Sequence, residues 1–307
     1  DKMKQKLFTG IVGSFIVFVG VFALSNTPVY AAQSTINLGA ASPFAILAGT
    51  PNITDAGNLS VISGNVGLSP ANGAGIGLLC SQVTGTIYSV DAGGPLPCRV
   101  TDGPLMVIAK NNLTNAYTDA AGRTPLTTVP TELGGTTLVA GVYDSASTTF
   151  DVTAGAGALT LDGQGDPSSV FIFQAAFSGD GLVVGSGSTV TLINGAQSCN
   201  VFWRVDSASI GTTADFVGTV LALNSITVAN GATIEGRLLA RNGNVTLIND
   251  TITVSACSGN DTSDNTVPGL PNTGGLTSVN VMWIAASAGA IILGLGLAYF
   301  ARKKRLI

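Results

Sequence analysis

The chain has 307 residues, of which 17 are Asp or Glu, 13 are Lys or Arg and none is His. Hydrophobic residues make up 46% and charged residues only 10%, a balance too apolar for an extended disordered chain. Between residues 33 and 274 only Arg99, Lys110, Arg123, Arg204, Arg237 and Arg241 stand against 16 acids, which argues against polyanions and so against nucleic acid as a partner.

The first residues read as an export signal. Lys2, Lys4 and Lys6 precede an apolar run from Leu7 to Leu24, and Pro28-Val29-Tyr30-Ala31-Ala32 offers small residues to a signal peptidase. Cleavage is expected after Ala31 or Ala32, which makes residues 1–32 a signal peptide. The run approaches the length of a retained membrane anchor, an alternative that the small-residue site argues against.

From Gln33 to about Pro104 short alternating runs such as Phe44-Ala-Ile-Leu-Ala-Gly49 and Val61-Ile-Ser-Gly-Asn-Val-Gly67 are broken by Gly, Asn and Pro, which predicts short strands and turns. Then the period changes. Leu105, Ile108, Ala109, Leu113, Ala116, Tyr117 and Ala120 recur at three- and four-residue spacing, with Asp102 placed as a cap and Gly122 as a stop. The spacing predicts an amphipathic helix over about 103–121.

After Thr136 the pattern is strand-like again and repeats. Thr219–Gly236 set above Arg237–Val254 places Ala222 on Ala240, Asn224 on Asn242, Thr233 on Thr251 and Ile234 on Ile252; one interval earlier, Asp215 and Phe216 fall under Thr233 and Ile234. Three alternating segments in a period of eighteen suit a triangular parallel β-helix, with a short strand per side and a Gly/Asn turn per corner. Phe216, Ile234 and Ile252 are expected to form one inward ladder. Phe171-Ile-Phe173, Val201-Phe-Trp203 and Val220-Leu-Ala-Leu223 are too apolar for a side that faces water, so the helix is expected to lie along them.

All four cysteines fall in the exported part, where oxidation favours pairing. The spacing does not fix the connectivity. Cys80 with Cys98 would close a loop around Gly93-Gly94-Pro95, and Cys199 with Cys257 would tie the last turn of the domain to an earlier strand. No spacing matches a zinc site, and no metal or cofactor is expected.

Ser258–Gly269 reads as a flexible linker rich in Asp, Ser, Thr and Asn. Leu270-Pro271-Asn272-Thr273-Gly274 follows, then an apolar stretch over 279–300 and a basic tail over 301–307 containing Arg302-Lys-Lys-Arg305. This order resembles the sorting signal of Gram-positive surface proteins. The resemblance implies that a sortase cysteine attacks the Thr273–Gly274 bond and passes the threonyl group to a cell-wall peptidoglycan amine. The apolar stretch would meanwhile hold the substrate in the membrane, basic end inside. An ordinary transmembrane anchor is the alternative, and both place the domain on the cell surface.

Several stretches of the middle region resemble one family together and in order: Ser63-Gly-Asn-Val-Gly-Leu-Ser-Pro70, Ala116-Tyr-Thr-Asp-Ala-Ala-Gly-Arg123, Leu159-Thr-Leu-Asp-Gly-Gln-Gly-Asp-Pro167, Val170-Phe-Ile-Phe-Gln174, Leu192-Ile-Asn-Gly-Ala-Gln197, Asn200-Val-Phe-Trp203 and Gly236-Arg-Leu-Leu-Ala-Arg241. They are similar to the microbial ice-binding proteins. That resemblance covers about Ile36 to Val254 and implies a mainly β fold, a discontinuous right-handed three-sided parallel β-solenoid with one long α-helix packed alongside, over residues 33–257. It also implies adsorption to ice, with inhibited growth and recrystallisation as consequences. The sorting signal turns this toward attachment of the cell to ice or a protective coat. The rival reading is a non-catalytic surface adhesin or structural wall protein. The domain is expected to act as a monomer with the ice crystal as its partner.

Two sides carry outward hydroxyls. The preferred one holds Thr189 and Thr191, Asp215 and Val217, Thr233 and Glu235, and Thr251 and Thr253, with Ser60 and Ser63 added from the N-terminal strands. Its motifs Asn230-Gly-Ala-Thr233 and Ser186-Gly-Ser-Thr189 resemble the Thr/Gly/Ala-rich motifs of the family. The alternative face holds Ser209, Ser225, Thr227, Asn244 and Thr246. Threonine is favoured on any exposed strand, so a row of it is by itself a solvated surface, and Asp215 and Glu235 break the preferred row with hydrated charges.

No enzyme is expected. Asp215 and Glu235 lie about one coil apart, as an acid and base of a carbohydrate-active enzyme could, but lack an arginine row, a histidine or an aromatic sugar platform beside them. Leu161-Asp-Gly-Gln-Gly-Asp166 lacks the spacing of a calcium loop and reads as a turn braced by Asp side chains. Gly73-Ala-Gly-Ile-Gly77 lacks the flanking elements of a dinucleotide loop. Asn52-Ile-Thr54 fits a glycosylation triplet and is assigned no function.

Overall fold

The computed structural model describes residues 33–175 and 181–257. The expected signal peptide, linker, sorting motif, apolar stretch and basic tail lie outside the described residues.

Every strand pairing is parallel, and the strands stack on three sides of a coil. Asp215–Ala222 runs beside Thr233–Ala240 in unbroken register, from Asp215 on Thr233 to Ala222 on Ala240. Phe216, Ile234 and Ile252 stand one above the other, all buried, and Ile62 continues the ladder. Each eight-residue strand serves two sides by bending at a glycine. Gly218 has φ 113°, and a Cβ on its neighbour Gly236 would overlap the Gly218 carbonyl oxygen, so no side chain fits at this corner.

The eighteen-residue lap holds only for these C-terminal coils. Gly141 pairs with Phe171 and Phe171 with Val201, so those laps take 30 residues. The surplus goes into corners such as 163–169, where Asp162 Oδ1 accepts from the Gln164 amide and from Asn194 Nδ2, and Asp166 Oδ1 accepts from Ser168. The Asp-braced turn expected here is present.

The stack is assembled out of chain order. Phe44–Ala48 pairs with Thr233–Ala240, Ile53–Asp55 with Val245–Leu247, and Val61–Ser63 with Thr251–Thr253, so the first coils sit on the last. From Arg99–Thr101, the outermost strand of that end, α1 (Gly103–Gly122) carries the chain back along the stack to Leu126–Val129, where the second set of coils begins.

Asp102 caps the helix by accepting from the Leu105 amide, and Pro104 suits its first turn. Met106, Ala109, Leu113, Ala116, Tyr117 and Ala120 are buried against Phe44, Leu47, Val142, Ile172, Phe202, Leu221 and Leu239. Alternate residues of the same strands, Phe171, Phe173, Trp203 and Val220, fill the coil interior. The helix thus covers the side expected of it, with one correction in its stripe. Met106 occupies the core position, while Ile108 is 52% exposed.

Inside the coil, Phe173 and Trp203 stack with centroids 4.0 Å apart, flanked by Tyr143, Phe150 and Phe216. Trp203 Nε1 donates to the Val217 carbonyl at 3.0 Å, which satisfies the one donor of this buried ring. Cys80 is bonded to Cys98 and Cys199 to Cys257, both with Cα atoms 5.5 Å apart.

Candidate functional site

With one side under the helix, two sides face outward. The second side is built from Phe150–Val152, Leu182–Val184, Ala208–Ile210, Ile226–Val228, Val245–Leu247, Ile53–Asp55 and Ile76–Gly77, seven strands in one ladder. In the three-residue strands the outer two side chains point into the core, and only the middle one points out. Register aligns those middle residues in a single column: Asp151, Val183, Ser209, Thr227, Thr246, Thr54 and Gly77.

From Val183 to Gly77 this column carries no charge. Its rungs are about 4.8 Å apart. Along its edge Ser225 Oγ donates to Asn244 Oδ1 at 2.7 Å, and Asn244 Nδ2 donates to Thr246 Oγ1 at 2.9 Å, so part of the hydroxyl row is fixed by its neighbours. Threonine is further restricted at χ1 by its β-branch. Thr54 belongs to this row and escaped the sequence reading, although Asn52-Ile53-Thr54 repeats the pattern of Asn244-Val245-Thr246.

The third side is less regular. Thr137–Val139, Leu159–Asp162 and Val190–Ile193 form a separate three-stranded sheet, with a bridge from Thr189 to Asp215 beside it. Beyond it one outward column runs Asp215, Thr233, Thr251, Val61, and the next runs Val217, Glu235, Thr253, Ser63, Thr84. Asp215 and Glu235 place two carboxylates among the hydroxyls.

The short turn Ser198–Asn200 packs against this side. Ser198 Oγ donates to Glu235 Oε1 at 2.6 Å, and Val217, outward by alternation with Phe216, is nevertheless 9% exposed. The Cys199–Cys257 bridge holds that cover in place. Thr191 is half-buried, whereas Thr233, Thr251 and Thr253 are exposed. Ser60 is not on the face at all, which corrects the expectation for it. It is 1% exposed, and its Oγ accepts from the Asp250 amide in the corner between the two open sides. Val61 takes the position beside Thr251 instead.

That corner is a network of carboxylates across three coils. Asp250 accepts from the Ala232 and Ile248 amides, and Asp55 accepts from the Ser60 and Asn249 amides and from Gln82 Nε2 at 2.6 Å. Burial pushes the Asp250 carboxyl up to about 6. Burial also works to raise Asp55, but the hydrogen bonds from Asn249, Ser60 and Gln82 outweigh it and hold that carboxyl below its ordinary value. Both groups brace turns and point away from the open faces.

A ladder of small uncharged side chains, with four successive hydroxyl-bearing residues in register, suits adsorption to an extended surface. The same architecture recurs in known proteins. Residues 46–253 match the family model described as "Ice-binding-like".

The chain belongs to the ice-binding family. An ice-binding protein of Flavobacterium frigoris is 40% identical over 223 residues, covering 71% of this chain and 76% of that protein. An ice-binding protein of a Colwellia species is 42% identical over 221 residues, covering 71% and 83%. Among solved structures, an ice-binding protein from an Antarctic biological consortium superposes with a TM-score of 0.61 at 38% identity, covering 73% of this chain and 93% of that one. The Arctic yeast protein LeIBP gives the same score at 30% identity, with 72% and 96% covered.

Proposed function

We propose that this protein binds ice through the second side of its solenoid, with Ser209, Thr227, Thr246 and Thr54 as the central contacts and Ser225 and Asn244 at their edge. The observation that carries the proposal is the single uncharged column from Val183 to Gly77, in which each side chain is set by the strand ladder beneath it. The names borne by the relatives in this family support the same ligand.

The mechanism is ordering of water rather than chemistry. Each hydroxyl anchors a water molecule, and each methyl group discourages disordered hydration around it, so the bound layer can adopt the arrangement of a crystal plane. Rigid, β-branched side chains lose little entropy on adsorption. Single contacts are weak, and affinity comes from many made at once. A face bearing Asp215 and Glu235 would hold water strongly around its charges, which sets the row of Thr189, Thr191, Thr233, Thr251, Thr253 and Ser63 behind the second side. Crystals that carry adsorbed protein stop growing over the covered surface, and a cell that displays the protein attaches to ice.

Display rests on residues 1–32 as an export signal and on Leu270-Pro271-Asn272-Thr273-Gly274 as a sortase substrate. Release from cells by a wall hydrolase but not by detergent supports covalent attachment to the wall. Release by detergent alone would favour a retained membrane span.

Slow growth of an ice front through a solution of the full chain tests the ligand itself. The protein is expected to concentrate in the ice fraction, and exclusion into the remaining liquid, as for an ordinary solute, would overturn the proposal.

A further inference from the structure

Of the six basic residues in the exported region, three converge on one place at the seam between α1 and the solenoid. The Arg204 guanidinium carbon lies 4.5 Å from the centre of the Tyr117 ring, and that of Arg241 lies 4.8 Å from the same centre. The two carbons are therefore no more than 9.3 Å apart. Lys110, seven residues before Tyr117 on the helix, places Nζ 2.8 Å from the Ala240 carbonyl and 2.7 Å from that of Arg241.

Among the described residues the one ion pair is Arg123 with Asp119, at the C-terminal end of the helix, and none involves Lys110, Arg204 or Arg241. Among the described residues neither the Arg204 nor the Arg241 guanidinium donates a hydrogen bond, and the Nε of each is shielded from solvent without an acceptor. Asp206, two residues after Arg204, is already engaged, with both oxygens accepting from Asn224 Nδ2 and Oδ2 also from Ser207. Tyr117 donates its hydroxyl to the Val205 carbonyl. Burial and the neighbouring Arg241 charge together bring Lys110 down to about 7.

Stacking on an aromatic ring attracts a guanidinium but supplies no acceptor for its five N–H groups. Two forks that share one ring and have open donors match the tetrahedral oxygens of a phosphate group, which accepts bidentately from Arg. The surrounding domain is acidic, so the attraction is local and suits one compact group rather than a long polyanion. We propose that Arg204 and Arg241, both within cation–π distance of Tyr117, form a binding site for a single phosphate group, distinct from the open faces of the solenoid.

The site is tested on the full chain by following the arginine Nε–H resonances while inorganic phosphate or dimethyl phosphate replaces chloride at constant ionic strength. The Arg204 and Arg241 signals are expected to shift and saturate, while that of Arg123, bound to Asp119, stays in place. Saturation with inorganic phosphate alone identifies a free phosphate or a monoester as the ligand. Saturation with the diester as well identifies a phosphodiester. Arg204→Gln and Arg241→Gln are each expected to abolish the effect at the remaining arginine, and Arg123→Gln to leave it intact. Absence of saturation with both anions, or an equal drift of all arginines, would overturn the assignment without any variant having to fold.

Discussion

Thr54 and Thr246 stand side by side in one ladder, although the first lies in the opening coil of the domain and the second in its closing coil. The face proposed to meet ice is therefore complete only when the two ends of the domain are stacked. Thr54→Tyr sets a bulky ring on the column beside Thr246 and is expected to lower thermal hysteresis by roughly tenfold, because adsorption depends on many simultaneous contacts. Thr54→Ser, which keeps the hydroxyl and loses one methyl group, is expected to cost much less. Equal loss in both variants would point to a local folding defect.

The helix joins the two stacks, so its packing should set the stability of the whole domain. Leu113 is fully buried against the helix-covered side, and Leu113→Ala is expected to cost about 2–5 kcal/mol. Asp102→Ala removes the cap and is expected to cost about 1 kcal/mol. Denaturant unfolding followed by far-UV circular dichroism and by Trp203 fluorescence checks both. A single shared transition that moves to lower denaturant is the expected result.

Asp250 and Lys110 give stability two opposite pH dependences. Asp250 titrates near 6 in the folded chain, above its ordinary 3.8, so the native state holds this proton more tightly than the unfolded state. Stability from this group is fully present below about pH 4 and declines as pH rises through 6. Lys110 titrates near 7, below its ordinary 10.5, so the unfolded state binds more protons between those values and stability rises with pH across that window. A shallow minimum in Tm near pH 6 to 7 is expected. Asp250→Asn should flatten the acidic limb, and Lys110→Met the alkaline one.

Much of this was legible in the sequence because the repeat is local. The register of Asp215, Thr233 and Thr251 and the span of the helix follow from spacing alone. Thr54 was marked only by the local likeness of Asn52-Ile53-Thr54 to Asn244-Val245-Thr246, because its partner is set by the out-of-order stacking and no fixed period connects the first coil to the last. Ser60 was misplaced because a corner turn draws it inward to the Asp250 amide, an arrangement that alternation along a strand does not describe. The cover over Val217 was likewise hidden, since it comes from a turn brought across by the Cys199–Cys257 bridge.

The two open sides are told apart most directly by comparing thermal hysteresis in Thr227→Tyr and Thr233→Tyr. Both residues are exposed, both lie mid-strand or at a strand start in well-paired coils, and both substitutions add the same ring. Loss of nearly all activity in Thr227→Tyr, with Thr233→Tyr close to the unaltered protein, is the predicted result. Retained activity in Thr227→Tyr together with loss in Thr233→Tyr would contradict it and move the ice-binding surface to the third side.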